Sequence, residues 1–199
     1  MTSRPDLRVC FLGDSFTLGT GDDEGLGWAG RVHAAERGRG IDLTAYNLGV
    51  RGHTGAEIAA RAPREIAERL PGKGDRQAVV VAFGTNDIRL DRPTEETCAA
   101  LEVIVTLAKA EGWAVFVMGA PHAAEPELDA LRARLNVNLE ETARRLGAPF
   151  LDIRERLADW TAWHRGAMEG DGIHPGAEGY AAVAAAFGAW LPWRRWLDG

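Results

Sequence analysis

The stretch Ala78-Val79-Val80-Val81-Ala82-Phe83-Gly84-Thr85-Asn86-Asp87 joins a fully apolar run to a turn that carries an amide and a carboxylate. An apolar run without polar alternation is typical of a parallel sheet strand covered by helices on both faces. Trp113–Met118 is a second run of this kind. Because the carboxyl ends of parallel strands lie along one edge, where such sheets bind ligands, the polar residues that follow each run are candidate site residues.

Three further apolar runs also lead to polar residues. Leu7–Leu12 precedes Gly13-Asp14-Ser15, Ile41–Tyr46 precedes Asn47-Leu48-Gly49, and Pro149–Ile153 is followed after a loop by Asp171-Gly172-Ile173-His174-Pro175. The segments between the runs have helical periodicity or helix-start signals, as in Trp28–Arg37, Thr54–Leu70, Pro93–Gly112, Pro126–Leu146 and the segment that begins at Pro175. This alternation predicts an α/β fold, a three-layer α/β/α sandwich, in a single domain over residues 1–199.

Composition narrows the functional classes. With 199 residues and a net charge of −6, the chain lacks the basic balance of a nucleic-acid-binding protein. No apolar stretch approaches the roughly 20 residues of a membrane span, so no stable membrane insertion is expected, and the tryptophan-rich tail from Trp190 is interpreted as packing onto the body. The polar start and the absence of a signal-peptide core favour a cytoplasmic protein. The two cysteines indicate neither a disulfide framework nor a metal site, and the oligomeric state is left open.

Ser15, Asp171 and His174 are the candidate catalytic residues. A serine hydroxyl becomes a nucleophile when a histidine takes its proton, and a carboxylate that binds the other ring nitrogen fixes the histidine tautomer. The spacing of Asp171 and His174 places both side chains on one side at the start of a helix. Taken singly, these residues have simpler interpretations, since Ser15 could cap a helix and Asp171-Gly172 could form a turn.

Asn86 and Gly49 are candidates for an oxyanion hole. An asparagine amide and a backbone N–H at strand ends could both donate to the negative charge that develops on an attacked carbonyl. Turn formation is the alternative role for each residue, because asparagine and glycine are common in turns. The occurrence of all these signals in order, each at a strand end, favours a hydrolase site.

On these motifs the chain resembles the SGNH hydrolases, also called GDSL-type lipases and esterases. The similarity runs from Gly13-Asp14-Ser15 through Asn47 and Gly49 and through Gly84-Thr85-Asn86-Asp87 to Asp171-Gly172-Ile173-His174-Pro175. Phe16 stands where the family's name-giving motif has leucine. The resemblance implies that Ser15 is the nucleophile, His174 the base and Asp171 its partner, with Ser15, Gly49 and Asn86 forming the oxyanion hole. It also implies a flavodoxin-like sheet of five parallel strands in the order 2-1-3-4-5.

The expected function is therefore hydrolysis of small carboxylic esters through an acyl-serine intermediate, without cofactor or metal. The first alternative is an acyltransferase or thioesterase that uses the same residues. The second is a flavodoxin-like nucleotide-binding module without hydrolase activity, in which Ser15, Thr17, Gly19 and Thr20 would hold a phosphate. A degenerate, non-catalytic member is disfavoured because every catalytic position is filled.

Several residues remain open to two interpretations. The segment Arg154–Gly170 is expected to be an irregular lid whose Trp160 and Trp163 border the reacting carbonyl and favour short acyl groups, from acetyl to about hexanoyl. Core packing of both tryptophans is the alternative. His122, His53 and Arg51 are interpreted as loop residues more readily than as substrate contacts. A metal site built from Asp14, Asp87, His122 and His174 lacks any short ligand spacing and is disfavoured.

Overall fold

The structure, a computed structural model, describes residues 4–70, 72, 74–157 and 159–199. Its strands are β1 (Leu7–Gly13), β2 (Leu43–Gly49), β3 (Arg76–Ala82), β4 (Ala114–Met118) and β5 (Phe150–Leu151). They form one parallel sheet of five strands in the order β2-β1-β3-β4-β5. The predicted strand order is therefore confirmed.

Helices cover both faces of this sheet. One face carries α3 (Gly55–Ala67), α5 (Thr94–Ala110) and α6 (Pro126–Arg145), and the other carries α2 (Gly27–Gly38), α8 (Thr161–Glu169), α9 (Ala177–Gly188) and α10 (Leu191–Asp198). Three short helices, α1 (Ser15–Leu18), α4 (Thr85–Arg89) and α7 (Ile153–Arg156), follow β1, β3 and β5 at the carboxyl edge. The predicted α/β/α sandwich is thus confirmed. None of the helices in the described ranges is long and apolar enough to cross a membrane.

The central strands are buried on both faces. In β3, Val80 belongs to the apolar cluster under α2 and α9, whereas Val79 and Val81 belong to the cluster under α3 and α5. All three valines are at most 1% exposed. Successive side chains of a strand point to opposite faces, so a strand between two helical layers needs apolar residues at every position. This packing makes the sheet a rigid platform for the turns at its carboxyl edge.

The ends of all five strands differ from those of their apolar runs, and the carboxyl ends of two strands differ by more than one residue. β2 continues to Gly49, three residues beyond the predicted end at Tyr46, because it pairs with β1 along its whole length, up to the pair Gly13 and Gly49. β5 has two residues, Phe150 and Leu151, since Asp152 caps α7 immediately afterwards. Backbone pairing and capping therefore decided these ends, and apolar composition did not.

The expectation of an irregular lid over residues 154–170 is wrong. The segment begins within α7 and contains α8, which packs against α9. Trp163 is 5% exposed and lies in the core cluster, and Trp160 packs against that cluster. The C-terminal tail forms α10 with Trp193 fully buried, which agrees with the packing interpretation.

Candidate active site

The structure brings Ser15, His174 and Asp171 into one hydrogen-bonded chain. Ser15 Oγ lies 2.7 Å from His174 Nε2, and His174 Nδ1 lies 2.7 Å from Asp171 Oδ2. When Nδ1–H donates to the carboxylate, Nε2 is left unprotonated and can accept the hydroxyl proton of Ser15. The three side chains that the sequence nominated are therefore placed for nucleophilic catalysis.

Ser15 owes its position to the sharp turn from β1 into α1. Asp14 caps this short helix because its Oδ1 accepts the Phe16 N–H at 2.9 Å. Gly13 is required before it, since an added Cβ would lie 2.0 Å from Thr17 Oγ1 and 2.5 Å from the Ala82 carbonyl oxygen. The Ser15 hydroxyl is thereby fixed at the edge of the sheet. The Ser15 N–H has no acceptor among the described residues.

Asp171 and His174 lie in a turn before α9, and not at the start of a helix as the spacing suggested. Asp171 Oδ1 accepts the N–H groups of Ile173 and His174, at 3.0 and 2.9 Å, while Oδ2 binds the imidazole. Partial burial raises the pKa of Asp171, but the hydrogen bonds from His174 and Ile173 outweigh it and lower that pKa to about 2. The carboxylate therefore stays ionised at neutral pH and well below it.

Asn86 lies in α4, one turn from the end of β3, and borders the same space as Ser15. Its Nδ2 donates to the His53 carbonyl oxygen at 3.0 Å, and Asp14 Oδ2 is 3.4 Å away. The first bond holds the amide in place with one of its two hydrogens. The contact with Asp14 is at the length limit of a hydrogen bond. The second hydrogen of the amide can therefore donate to a substrate oxygen instead.

Gly49 does not reach this space, which corrects its predicted role in an oxyanion hole. Its N–H donates to Asn47 Oδ1 at 3.0 Å, and an added Cβ would lie 2.2 Å from the Leu18 N. As the last residue of β2, Gly49 is packed against α1. The position beside Ser15 and Asn86 belongs to Gly52, whose φ is +79° and whose N–H has no acceptor among the described residues.

A signal for Gly52 was present in the sequence. Thr54 and Glu57 form a capping box, with Glu57 Oε2 2.8 Å from the Thr54 N, and this motif marks the start of α3. The turn that precedes the box is therefore residues 50–53. Sequence reasoning ended the strand too early and placed the turn around Gly49.

These groups line a cleft with a volume of about 330 Å³. We use "the cleft" for the space bordered by Ser15, Phe16, Arg51, Gly52, Thr85, Asn86, Ile88, Arg89, Leu128, Arg132, Asp171, Ile173 and His174. Phe16 forms an inner wall and stacks on Trp163 at 5.4 Å between ring centroids. Neither tryptophan of the 154–170 segment lines the cleft, so the expectation that they border the reacting carbonyl is wrong.

Asp14, which precedes Ser15, and Arg132, which lines the cleft, are buried ionisable groups. Asp14 is 2% exposed, and burial raises the pKa of its carboxyl to about 7 although the Phe16 N–H and the Arg132 charge act against this. Burial lowers the pKa of the Arg132 guanidinium to about 10, which leaves it charged at neutral pH. The cleft therefore has a permanent cation on one side.

Of the other residues that sequence analysis singled out, Arg51 lines the cleft and the rest are engaged elsewhere. His122 Nδ1 lies 2.8 Å from Asp129 Oδ1, and the His122 ring packs 4.7 Å from Trp160. His53 Nδ1 accepts from Arg61 at 3.2 Å. Asp87 accepts the Gly55 N–H and the Thr97 hydroxyl. Among the described residues, no group of three or more His, Cys, Asp or Glu side chains is suited to a metal ion.

Fold and site together define a hydrolase of the kind that carries a Ser–His–Asp arrangement at the edge of a flavodoxin-like sheet. The chain belongs to the GDSL-like lipase/acylhydrolase family, whose sequence profile matches residues 11–182. The resemblance to SGNH hydrolases is confirmed. A comparison with functionally curated proteins found no match.

Several solved structures share the fold of this chain. The chain is similar to a catalytic mutant of an acetylxylan esterase from Geobacillus stearothermophilus, with 19% identity, 94% of each chain covered and a TM-score of 0.75. TesA aligns with 20% identity over 96% of this chain and 99% of its own, with a TM-score of 0.73. A lipolytic G-D-S-L family protein from Veillonella parvula aligns with 20% identity over 90% and 94%, with a TM-score of 0.70. At these identities the likeness shows the fold.

Proposed function

We propose that this protein is a serine esterase that hydrolyses small carboxylic esters through an acyl-serine intermediate. The observation that carries the proposal is the chain of short hydrogen bonds from Ser15 through His174 to Asp171. Membership of a lipase and acylhydrolase family supports ester hydrolysis, and the acetylxylan esterase shares the fold.

The reaction follows from the positions of these groups. His174 Nε2 takes the Ser15 proton as Oγ attacks the ester carbonyl, and the imidazolium is stabilised by Asp171. The N–H groups of Ser15 and Gly52 are available for the developing oxyanion, as is the second Nδ2 hydrogen of Asn86, which makes only the 3.4 Å contact with Asp14 Oδ2. His174 then returns the proton to the leaving alcohol, and a water molecule, activated in the same way, cleaves the acyl-serine and regenerates the enzyme.

Preference for short acyl groups is part of the proposal. The cleft volume of about 330 Å³ is at the small end of ligand pockets. The Phe16 ring, held between the His174 ring at 5.0 Å and Trp163, closes the inner wall. The short-chain preference therefore depends on Phe16, with Trp163 acting behind it, and not on a lid.

A nucleotide-binding role fits the turn after β1 less well. Of the groups that would hold a phosphate there, Ser15 Oγ is bonded to His174, and the Thr17 and Thr20 hydroxyl oxygens are buried. Acyl transfer to an alcohol or amine, or cleavage of a thioester, would use the same residues and differ in the acceptor or the scissile bond.

The test is a panel of p-nitrophenyl esters from acetate to dodecanoate, with and without added alcohols. Ser15→Ala is expected to lower kcat by roughly three to six powers of ten without unfolding the protein. Thr17→Val is the control, because it removes a buried hydroxyl from the same helix that has no hydrogen-bond partner. A fluorophosphonate should label the native chain once, at Ser15. Full activity in Ser15→Ala would refute the proposal.

A further inference from the structure

The cleft has the opposite charge balance to the rest of the chain. The protein has 29 acidic and 23 basic residues, counting Lys and Arg, for a net charge of −6. Three arginines, Arg51, Arg89 and Arg132, line the cleft, against one carboxylate, Asp171, which is bound to His174. A concave surface with excess positive charge in an acidic protein attracts anions and not neutral ligands.

Arg132 is the buried member of this group. It is 7% exposed, and its Nη1 donates to the carbonyl oxygens of Pro121 and His122, at 3.2 and 3.0 Å. These bonds, and the Phe16 ring 6.0 Å from the guanidinium carbon, fix the side chain against the inner wall of the cleft. The guanidinium is therefore held rigidly beside the nucleophile.

The charge of Arg132 lacks a carboxylate in contact. Among the described residues no acidic oxygen lies within 4 Å of it, its Nε has no hydrogen-bond partner, and no bond from its Nη2 is found. Asp129, one turn earlier in α6, is occupied by Arg154 and His122. A buried guanidinium is costly unless it is paired, so the free N–H groups indicate a missing anionic partner.

Arg51 and Arg89 extend the same charge to the rim. Both are exposed residues of the cleft lining, on the turn after β2 and in α4. Neither forms an ion pair with any residue in the described ranges. A planar guanidinium presents N–H groups in a geometry that matches a carboxylate or phosphate.

We propose that Arg132, with Arg51 and Arg89, forms an anion-binding subsite in the cleft, so that the preferred substrates are small esters with a carboxylate or phosphate close to the scissile bond. The inference rests on the proposed esterase function and adds the substrate class. The bound anion would satisfy the guanidinium that the protein leaves unpaired, and would orient the ester carbonyl towards Ser15.

Two matched substrate pairs test this subsite. On the acyl side, the glutarate monoester of p-nitrophenol is compared with the uncharged pentanoate. On the alcohol side, 4-acetoxybenzoate is compared with its methyl ester. We expect the charged ester to have the higher kcat/KM in at least one pair, after subtraction of the rates measured with Ser15→Ala. The pair that shows the preference identifies the side of the ester on which the anion lies.

Substitutions then assign the preference to the subsite. Arg132→Gln should reduce the charged-to-neutral ratio of kcat/KM by roughly tenfold to a hundredfold, the usual effect of losing a hydrogen bond to a charged group. Arg51→Gln and Arg89→Gln, on exposed residues that can be changed without unfolding, should reduce it less, and added salt should reduce it further. Arg134→Gln removes the same charge from α6 outside the cleft and should leave the ratio unchanged.

Binding separates this inference from the esterase proposal. Calorimetric titration of Ser15→Ala protein with 4-acetoxybenzoate and with its methyl ester needs no turnover. If the acid binds more tightly than the methyl ester, and if this difference disappears in Ser15→Ala/Arg132→Gln, the subsite is supported even where no ester is cleaved. Equal binding of the acid and its methyl ester, together with no preference for the charged ester in the acyl-side pair, overturns the subsite, as does a charged-to-neutral ratio unaffected by all three cleft substitutions. Ser15-dependent hydrolysis would in either case still establish the esterase.

Discussion

Burial of the Asp14 carboxyl lowers the free energy of unfolding by an amount that depends on pH. Its carboxyl is 2% exposed and no arginine or lysine in the described residues lies within 4 Å of it. The Phe16 N–H and the distant Arg132 charge do not offset the burial, so the pKa of Asp14 is raised from 3.8 to about 7. In the native state the group therefore binds its proton more tightly than it does in the unfolded chain. The contribution of Asp14 to the free energy of unfolding is therefore highest below about pH 4, and it falls as the pH rises through about 7.

The size of this effect follows from the shift. A rise of about three pKa units corresponds to about 4 kcal/mol of lost stability once the carboxyl is fully ionised. Roughly 2.5 kcal/mol of that loss falls between pH 5 and pH 8, where measurement is practical. Asp14→Asn keeps the oxygen that accepts the Phe16 N–H and removes the titrating group. The variant should therefore gain stability relative to wild type, by about that amount, as the pH rises across this interval.

Guanidinium chloride unfolding of wild type and Asp14→Asn at pH 5, 6, 7 and 8 measures this difference directly. Asp22→Asn is the matched control, because Asp22 is also buried and also accepts a backbone N–H, but it contacts Arg31. Burial raises the pKa of Asp22, yet the bonds from Arg31 and Gly27 outweigh it and lower that pKa below its usual value. Its substitution should change the free energy of unfolding by the same amount at every pH tested. A wild-type-minus-variant difference for Asp14→Asn that is independent of pH would refute the reasoning.

Four further predictions concern the cleft. His174→Ala should reduce kcat/KM nearly as far as removal of the nucleophile, and Asp171→Asn by roughly two to four powers of ten, since the imidazole loses its charged partner but keeps its place. kcat/KM should also fall as the pH is lowered, because only an unprotonated His174 can accept the Ser15 proton, whereas Asp171, with its pKa at about 2, stays ionised; an acid limb that persists unchanged in a residually active His174→Ala/Asp14→Asn variant would contradict this. Asn86→Ala should lower kcat roughly a hundredfold to a thousandfold with little change in KM, and a loss confined to KM would make the amide a ground-state contact. Phe16→Ala should shift the preference in the ester panel towards longer acyl chains, since Phe16 separates the cleft from a small cavity of about 20 Å³ beside Trp163. An unchanged chain-length profile in a folded variant would show that Phe16 does not limit the acyl chain.

The sequence by itself determined the fold class and the three side chains that meet at the sheet edge. Continuous apolar runs such as residues 78–83 require cover on both faces, and this requirement fixes a parallel sheet between helices. Once the strands are parallel, the residues that follow them share one edge whatever their separation along the chain. Ser15 and His174 are 159 residues apart in sequence and 2.7 Å apart in the structure for that reason.

The tertiary structure decided what depends on pairing and burial. Backbone hydrogen bonds to β1 extend β2 through Gly49 and so place Gly52, and not Gly49, beside the nucleophile. The position of α6 over the sheet edge leaves Leu131 37% exposed and turns Arg132 into the cleft. The helical periodicity of residues 126–146 would instead bury the leucine and expose the arginine. Segments distant in sequence determine which strands a strand pairs with and how much solvent surrounds a charged group. The local sequence pattern contains neither kind of information. The fold could therefore be predicted from the sequence, and the capping box marked the turn before α3, while the position of Gly52 beside Ser15 and the charge of the cleft could be seen only in three dimensions.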